Sequence, residues 1–159
     1  MREPDFETDG WSLEDGEQRH REASDTFWLP ELNDRQSLEP GDLVKLIFRI
    51  SVDNEDEPVA VERMWVIVRE RVGNQYLGIL DNDPRAIGEN EELWSGVELP
   101  FSPRHVIDID RRNPAEGSEP VPLPGRFWDR DQNHSTSAMG RTATLRGLTS
   151  AMGGKRTLD

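Results

Sequence analysis

Alternation of apolar and polar residues is the strongest pattern in this chain, and it predicts β-strands in the middle of it. In residues 43–52 every second side chain, beginning at Val44, is apolar. Residues 61–72 repeat the pattern, with Met64 and Val68 on one face. Because the side chains of a strand alternate between its two faces, we expect both segments to bury one face and expose the other.

A two-residue turn links the second of these strands to a third. Residues 75–80 form a further apolar run, and Gly73 and Asn74 separate it from residues 61–72. Glycine at the first position of such a turn accepts the positive φ that a tight hairpin needs. We therefore expect a β-hairpin at the centre of the fold.

Two shorter strands are predicted at residues 97–101 and 105–110, which brings the total to about five. A short helix is expected after Pro30, with Leu32 and Leu38 facing the core. Closely spaced strands with tight turns and no long helix are typical of a mainly β fold with minor α structure. The expected architecture is a small, strongly bent antiparallel barrel or sheet of the SH3-like kind.

Charge and proline divide the chain into three parts. Residues 1–40 carry 12 acidic and 4 basic residues, without apolar periodicity at their start. This composition predicts an acidic, flexible segment over residues 1–25. Several prolines follow Asn113, which predicts a Pro-rich linker and a flexible, mildly basic tail over residues 113–159. The β-barrel-like domain is then expected over residues 26–112.

Both terminal segments contain large apolar residues that leave a second interpretation open. Phe6, Trp11 and Leu13 could dock on the domain or form a short binding segment, instead of belonging to an unstructured terminus. Phe127 and Trp128 could dock back on the domain in the same way.

The composition of the whole chain narrows its chemistry. The chain has 159 residues, no cysteine and a formal net charge of −13. Disulfides and catalytic thiolates are therefore excluded, and direct binding to nucleic acid is not expected, because phosphates attract Lys and Arg. There is no apolar run long enough to span a membrane and no signal-peptide pattern, so a cytoplasmic protein without membrane contact is expected. The oligomeric state stays open.

Basic and aromatic residues cluster on the polar face of the first two predicted strands. Trp and Arg are enriched at the energetic centres of protein interfaces, since they bury much area and still donate hydrogen bonds. The alternative is that Trp65 belongs to the core and that the arginines form a solvated face. The candidate partner-binding residues are Lys45, Arg49, Arg63, Trp65 and Arg69.

No catalytic set, cofactor site or metal site is predicted. Asp81, Asp83 and Glu92 stand at positions one, three and twelve of a calcium loop. Arg85 occupies the fifth position, and Ala86 replaces the glycine that such a loop requires. A capped, solvated turn is the preferred interpretation of this segment.

Glu62 interrupts the apolar face of its strand. A carboxylate buried there needs a partner, because its desolvation is costly. We expect an arginine or backbone N–H groups from elsewhere in the chain to pair with it, and a catalytic role is the second interpretation.

Five strings along residues 25–110, namely DTFWLP, LEPGDLVKLIF, VERMWVIV, YLGILDNDP and HVIDI, resemble a small bacterial domain family of unknown function. The family is similar to some polymorphic-toxin immunity proteins. The resemblance implies a compact β-rich domain that binds a protein stoichiometrically and has no established catalytic set. The positions that match the family pattern are Gly41, Asp42, Glu62, Arg63, Trp65, Asn82 and Pro84.

The sequence favours a non-catalytic protein-binding module that uses the Arg/Trp face, with an immunity- or inhibitor-like protein as one interpretation. One alternative is an acidic inhibitor that masks a basic nuclease or toxin through the acids of residues 1–40 and 53–57. A second alternative is an enzyme or small-ligand binder with a pocket at one barrel end. The acidic N-terminal segment could also cover the Arg-rich face until a partner displaces it.

Overall fold

The computed structural model describes residues 1–88, 90–113 and 120–130. Its contacts divide the chain into two units, Glu3–Trp128 and a second unit made of Met1–Arg2 with Asp129–Asp159. Of the second unit, the structure describes Met1, Arg2 and residues 129–130. All the elements discussed below belong to the first unit. They are β1 (Trp11–Leu13), β2 (Leu43–Ser51), β3 (Val59–Val72), β4 (Gln75–Leu80), β5 (Glu98–Phe101) and β6 (Asp108–Asp110), the helices α1 (Phe6–Asp9), α2 (Gly16–Glu22) and α3 (Leu32–Arg35), and a 3-10 turn (Pro103–His105).

The strands form one antiparallel sheet in the order β1-β2-β3-β4-β5, which curves into a half-barrel. β1 pairs with the end of β2 near Ile50, and β6 pairs with the start of β2 near Leu43. The prediction of a mainly β, strongly bent antiparallel fold is therefore confirmed. No helix among the described residues is long and apolar enough to cross a membrane.

The buried side of the half-barrel follows the alternation seen in the sequence. Every second residue of β2 from Val44 to Ile50 is at most 1% exposed. Met64, Val66 and Val68 of β3 are equally enclosed on the same side of the sheet. The expected hairpin between β3 and β4 is present, and Gly73 has a φ of 61° in its turn. Apolar periodicity thus predicted the core correctly.

The N-terminal segment is part of the fold, so the predicted flexible segment over residues 1–25 is wrong for most of its length. It contains α1, β1 and α2, and β1 extends the sheet beyond β2. Trp11 is 1% exposed, and its ring lies 5.7 Å from that of Phe48. The interpretation that this segment docks on the domain is therefore correct. Burial of the Trp11 side chain favours an ordered segment more strongly than the acidic, aperiodic residues around it favour disorder.

The domain also extends past its predicted end at residue 112. Glu98 N–H donates to the carbonyl of Arg126 (2.8 Å), and Gly125 N–H donates to the carbonyl of Gly96 (2.8 Å). Trp128 is 8% exposed, which agrees with docking of this residue. Residues 125–128 therefore pack beside the start of β5, whereas the linker and tail predicted for residues 114–119 and 131–159 lie outside the described residues.

Two smaller expectations need correction. The last strand begins at Asp108 and not at His105, because Pro103 starts a 3-10 turn that includes His105. In the short helix after Pro30, Leu38 is buried as expected, but Leu32 is 48% exposed.

Candidate functional site

The register between β2 and β3 places Lys45 directly opposite Trp65 on the outer face of the sheet. The Lys45 ammonium lies 4.8 Å from the centroid of the Trp65 ring, and both side chains are half-buried. The backbone N–H of Trp65 donates to Asn82 Oδ1 (2.6 Å), and the backbone carbonyl of Trp65 accepts from the backbone N–H of Asp81 (2.9 Å). Trp65 is therefore not a core residue, but it is held in place. Its backbone is hydrogen-bonded on the β4 side, and its ring contacts the Lys45 ammonium.

Arg63 lies two residues before Trp65 on the same face, opposite the fully buried Ile47. Its side chain is exposed, and its guanidinium is 5.6 Å from the ring centroid of Phe27. The guanidinium of Arg19 is 5.3 Å from the same ring. Phe27 thus connects the segment after α2 to the outer face of β3.

Two large apolar side chains, one on β3 and one in the segment after α2, are exposed. Val61 precedes Arg63 by two positions on the outer face of β3 and is 53% exposed. Trp28, which follows Phe27 in the chain, is 68% exposed. We call Phe27, Trp28, Val61, Arg63 and Trp65 the outer patch. Exposed aromatic and aliphatic groups around an arginine are typical of a surface that a partner covers.

Arg49 borders the outer patch from β2, where it pairs with Val61. Its guanidinium is 5.3 Å from the ring centroid of Phe6, and Nε is 3.9 Å from a carboxylate oxygen of Glu14. Its side chain remains 45% exposed. The N-terminal segment therefore contacts the edge of the predicted face while the Arg49 head group stays accessible.

Arg69 belongs to a different arrangement near the far end of β3. Its Nη1 is 2.7 Å from Oε2 of Glu98, whose side chain is fully buried, and 3.2 Å from Glu70. Oε1 of Glu98 accepts from Trp128 N–H (2.9 Å), and the Arg69 guanidinium is 5.3 Å from the ring of Phe127. The structure thus groups four of the five predicted residues and gives Arg69 a structural role.

Two of the positions that match the family pattern shape the turn before β2. Gly41 has a φ of 97°, and a Cβ there would be 2.5 Å from Cδ of Arg112. Asp42 is 3% exposed and accepts from the N–H groups of Glu39 (2.9 Å) and Arg112 (2.8 Å), while Arg111 Nη1 is 3.1 Å away. The carboxylate therefore joins the turn to the chain that leaves β6.

Three other pattern positions fix the loop after β4. Glu62 accepts from the N–H groups of Arg85 (2.9 Å) and Ala86 (2.7 Å), as the expectation of backbone N–H partners required. Asn82 accepts from Trp65, and Pro84 is buried. Glu62, Asn82 and Pro84 thus have structural roles in this loop. The hydrogen bonds of Glu62 account for its position without a catalytic role.

A cleft of about 600 Å³ opens beside this loop. Its described lining includes Ile87, Leu93 and Trp94, and Asp83 is its one described carboxylate. Oδ1 of Asp83 accepts from Ser95 N–H (3.3 Å). Within residues 1–88, 90–113 and 120–130, no group of three or more Asp, Glu or His side chains is arranged to hold a metal.

The β2–β3 loop carries a dense negative charge. Residues 53–58 are all exposed, and four of them are acidic. Asn54 Oδ1 accepts from the N–H groups of Asp56 (3.0 Å) and Glu57 (3.2 Å), which keeps the loop compact. The loop leads directly into β3, so its carboxylates lie next to the strand that carries the outer patch.

Sequence reasoning missed the contributions of Phe27 and Val61 to this surface. Phe27 lies before the short helix expected after Pro30, and nothing in the neighbouring residues indicates that it contacts Arg63. Val61 is apolar at a position where the alternation gives an outer side chain. An apolar residue next to Arg63 on the polar face was the available signal.

Comparison with known proteins adds no relative. No family model matches the chain, and no curated protein and no solved structure matches it either.

Proposed function

We propose that the chain is a non-catalytic protein-binding module that binds its partner through the outer patch. The observation that carries this proposal is the exposure of Val61 beside Arg63 on the paired strand β3, together with the exposure of Trp28 in the segment whose Phe27 contacts Arg63. Burying two such side chains is favourable by about 1.5–3 kcal/mol each, and Arg63 keeps donors for a partner's acceptors. The resemblance to immunity-like domains supports the same class of function.

Rigidity of the patch supports its use as a binding surface. β3 is paired with β2 along Val59–Ile67, and the backbone of Trp65 is bonded on its other side. Such a surface loses little conformational entropy when a partner docks.

The second candidate function is inhibition of a basic partner whose positive charge is covered by acidic residues of this chain. The exposed acidic loop over residues 53–57 favours it. Attraction by exposed charges acts mainly on the association rate and weakens with salt. An association rate that is unchanged between low and high salt would count against this candidate.

Photo-cross-linking tests the first proposal directly. A photoreactive amino acid replaces Val61 in the full-length protein, and a matched control carries it at Leu123, which is 80% exposed. We expect a discrete protein adduct in native cell extract from position 61 and not from position 123. Arg63→Ala with Trp65→Ala should abolish that adduct while the circular dichroism spectrum stays native. Equal adducts from both positions, or none from position 61, would overturn the proposal.

The idea that residues 1–25 mask the face needs a different test from deletion. Trp11 is in the core, so removing residues 1–25 would remove part of the fold. A variant with both Phe6→Ala and Glu14→Gln loses the contacts of the N-terminal segment with Arg49 and keeps Trp11. Stronger binding by that variant would support masking, and unchanged binding would remove it.

A further inference from the structure

β3 is longer than its neighbour on one side. β2 pairs with it along Val59–Ile67, whereas β4 pairs with it only from Val66 onward. Residues 59–64 of β3 therefore have a strand on one side and, among the residues that the structure describes, none on the other. In a sheet, such an edge exposes backbone groups that another strand can bind.

The direction of the backbone groups can be worked out from their neighbours. Val68 bonds toward the β2 side, since its N–H donates to the carbonyl of Asp42 and its carbonyl accepts from Gly41 N–H, each at 2.8 Å. Trp65 bonds toward the opposite side, to Asn82 and Asp81. Backbone groups of alternate residues point to the same side of a strand. The N–H and C=O groups of Val61 and Arg63 therefore point away from β2, at the open edge.

This edge is accessible. Val61 is 53% exposed, and Arg63 is also exposed. The chain that leaves β4 is bonded to the side chain of Glu62 through Arg85 and Ala86, on the face opposite to Val61 and Arg63. Among the described hydrogen bonds, this loop bonds the side chain of Glu62 and not the backbone edge of residues 59–63.

Negative charge surrounds both ends of the edge. The acidic loop over residues 53–57 precedes Val59, and the exposed Asp81 and Asp83 follow the opposite end. A strand that enters this space meets carboxylates at both of its ends. Lys or Arg residues flanking an extended segment complement that arrangement.

We propose that the open edge of β3 over residues 59–63 binds an extended, basic-flanked segment of the partner protein as an additional β-strand. The inference rests on the proposed function and names its binding mode. Backbone hydrogen bonds supply affinity in such strand addition, and alternate side chains of the added segment lie beside the outer patch. Five residues at about 3.4 Å each span the edge.

A second copy of this chain is a poorer occupant. Antiparallel pairing of two β3 edges around a two-fold axis would bring residues 53–57 of one copy toward Asp81 and Asp83 of the other. All of these positions except Asn54 are acidic, and each copy carries a net charge of −13. Like charges placed opposite each other oppose such a dimer.

The test uses the full-length chain and a synthetic fluorescent peptide, Lys-Lys-Thr-Val-Thr-Val-Thr-Lys-Lys, with fluorescence anisotropy as the readout. A matched peptide carries Glu in place of every Lys. Two further versions are N-methylated at one or the other alternate set of the central residues. We expect one N-methylated peptide to lose at least about tenfold in affinity and the other to keep it, because an added strand bonds through one edge only. The Glu-flanked peptide should bind more weakly than the Lys-flanked one.

Protein variants separate the edge from the patch. Val61→Pro removes an N–H from the edge at a position where proline is tolerated, and Val61→Lys keeps the strand as a folding control. Val61→Pro should weaken peptide binding, and in the wild-type protein the amides of Val61 and Arg63 should exchange more slowly when the peptide is bound. Absence of peptide binding, equal binding of both N-methylated peptides, or full binding by a folded Val61→Pro variant would each overturn the strand addition.

The two proposals fail separately. A cross-linked partner that depends on Arg63 and Trp65 but not on the Val61 N–H would leave the proposed function in place and remove the strand addition. Peptide binding at the edge without a cross-linked partner would leave strand addition at this edge in place and remove the proposed binding of a protein through the outer patch.

Discussion

Trp11 and Trp128 meet edge to face, with ring centroids 6.1 Å apart and ring planes inclined at 67°. Trp11 lies in β1 at one end of the sheet, and Trp128 follows the segment that runs along β5 at the other end. The sheet curves so far that its two ends touch through these rings. Aromatic pairs in this geometry contribute about 0.5–1.5 kcal/mol beyond the area that they bury.

Trp128→Ala should lower the free energy of unfolding by about 3–5 kcal/mol, because it removes a buried indole that joins the ends of the sheet. Phe127→Ala is the matched control, since Phe127 is 58% exposed, and it should cost less than about 1 kcal/mol. Urea unfolding followed by tryptophan fluorescence and by circular dichroism measures both variants. Similar losses for the two variants would contradict a closure through Trp128.

Arg69→Ala should destabilise the fold by about 3 kcal/mol, because it leaves the buried carboxylate of Glu98 without its cation. Arg63→Ala, in the same strand but exposed, should change stability by less than about 0.5 kcal/mol. Adding Glu98→Gln to Arg69→Ala should recover part of the loss, since the amide oxygen still accepts from Trp128 N–H. A double-mutant cycle by chemical denaturation checks this, and an Arg69→Ala variant as stable as Arg63→Ala would contradict it.

The strands of the half-barrel were predictable because apolar alternation and turn chemistry act locally. Val44 to Ile50 and Met64 to Val68 were placed on the buried side from their spacing, and Gly73 marked the hairpin. These features need no knowledge of distant contacts. The same holds for the outward direction of Arg63 and Trp65.

Contacts between distant segments were not predictable in the same way. Trp11 joins the core from an acidic segment without periodicity, and its partner Trp128 follows a run of prolines. The pairing of Arg69 with Glu98 depends on the register between β4 and β5. The open edge of β3 also depends on where β4 begins to pair, which alternation alone does not reveal.

Stability should fall in mild acid because of His105. Burial and, secondarily, the nearby Arg104 charge lower the pKa of His105 from 6.5 to about 3. The unfolded chain then binds a proton at this side chain below about pH 6.5 while the folded one stays neutral, so stability decreases as pH falls toward 3. Between pH 7 and pH 5 the loss from this group is about 2 kcal/mol. His105→Gln should be less stable at pH 7 but should lack this part of the pH dependence. Urea titrations at both pH values measure the difference, and equal slopes for wild type and variant would contradict it.

Gly78 allows β4 to approach β3 closely, and its replacement should be the most damaging of the glycine changes in the hairpin region. A Cβ at Gly78 would lie 2.5 Å from Cγ1 of Val66 and 2.7 Å from the carbonyl oxygen of Ile67. Since a backbone atom cannot yield as a flexible side chain can, Gly78→Ala should cost about 1–3 kcal/mol by overpacking. Gly88→Ala is the control, because no atom lies within 4 Å of a Cβ there. Gly78→Ala combined with Val66→Ala should lose less stability than the sum of the two single changes if overlap with Val66 contributes. Thermal unfolding of the wild type, the three single variants and the double variant measures this, and equal midpoints for the Gly78 and Gly88 variants would show that the strands can separate without penalty.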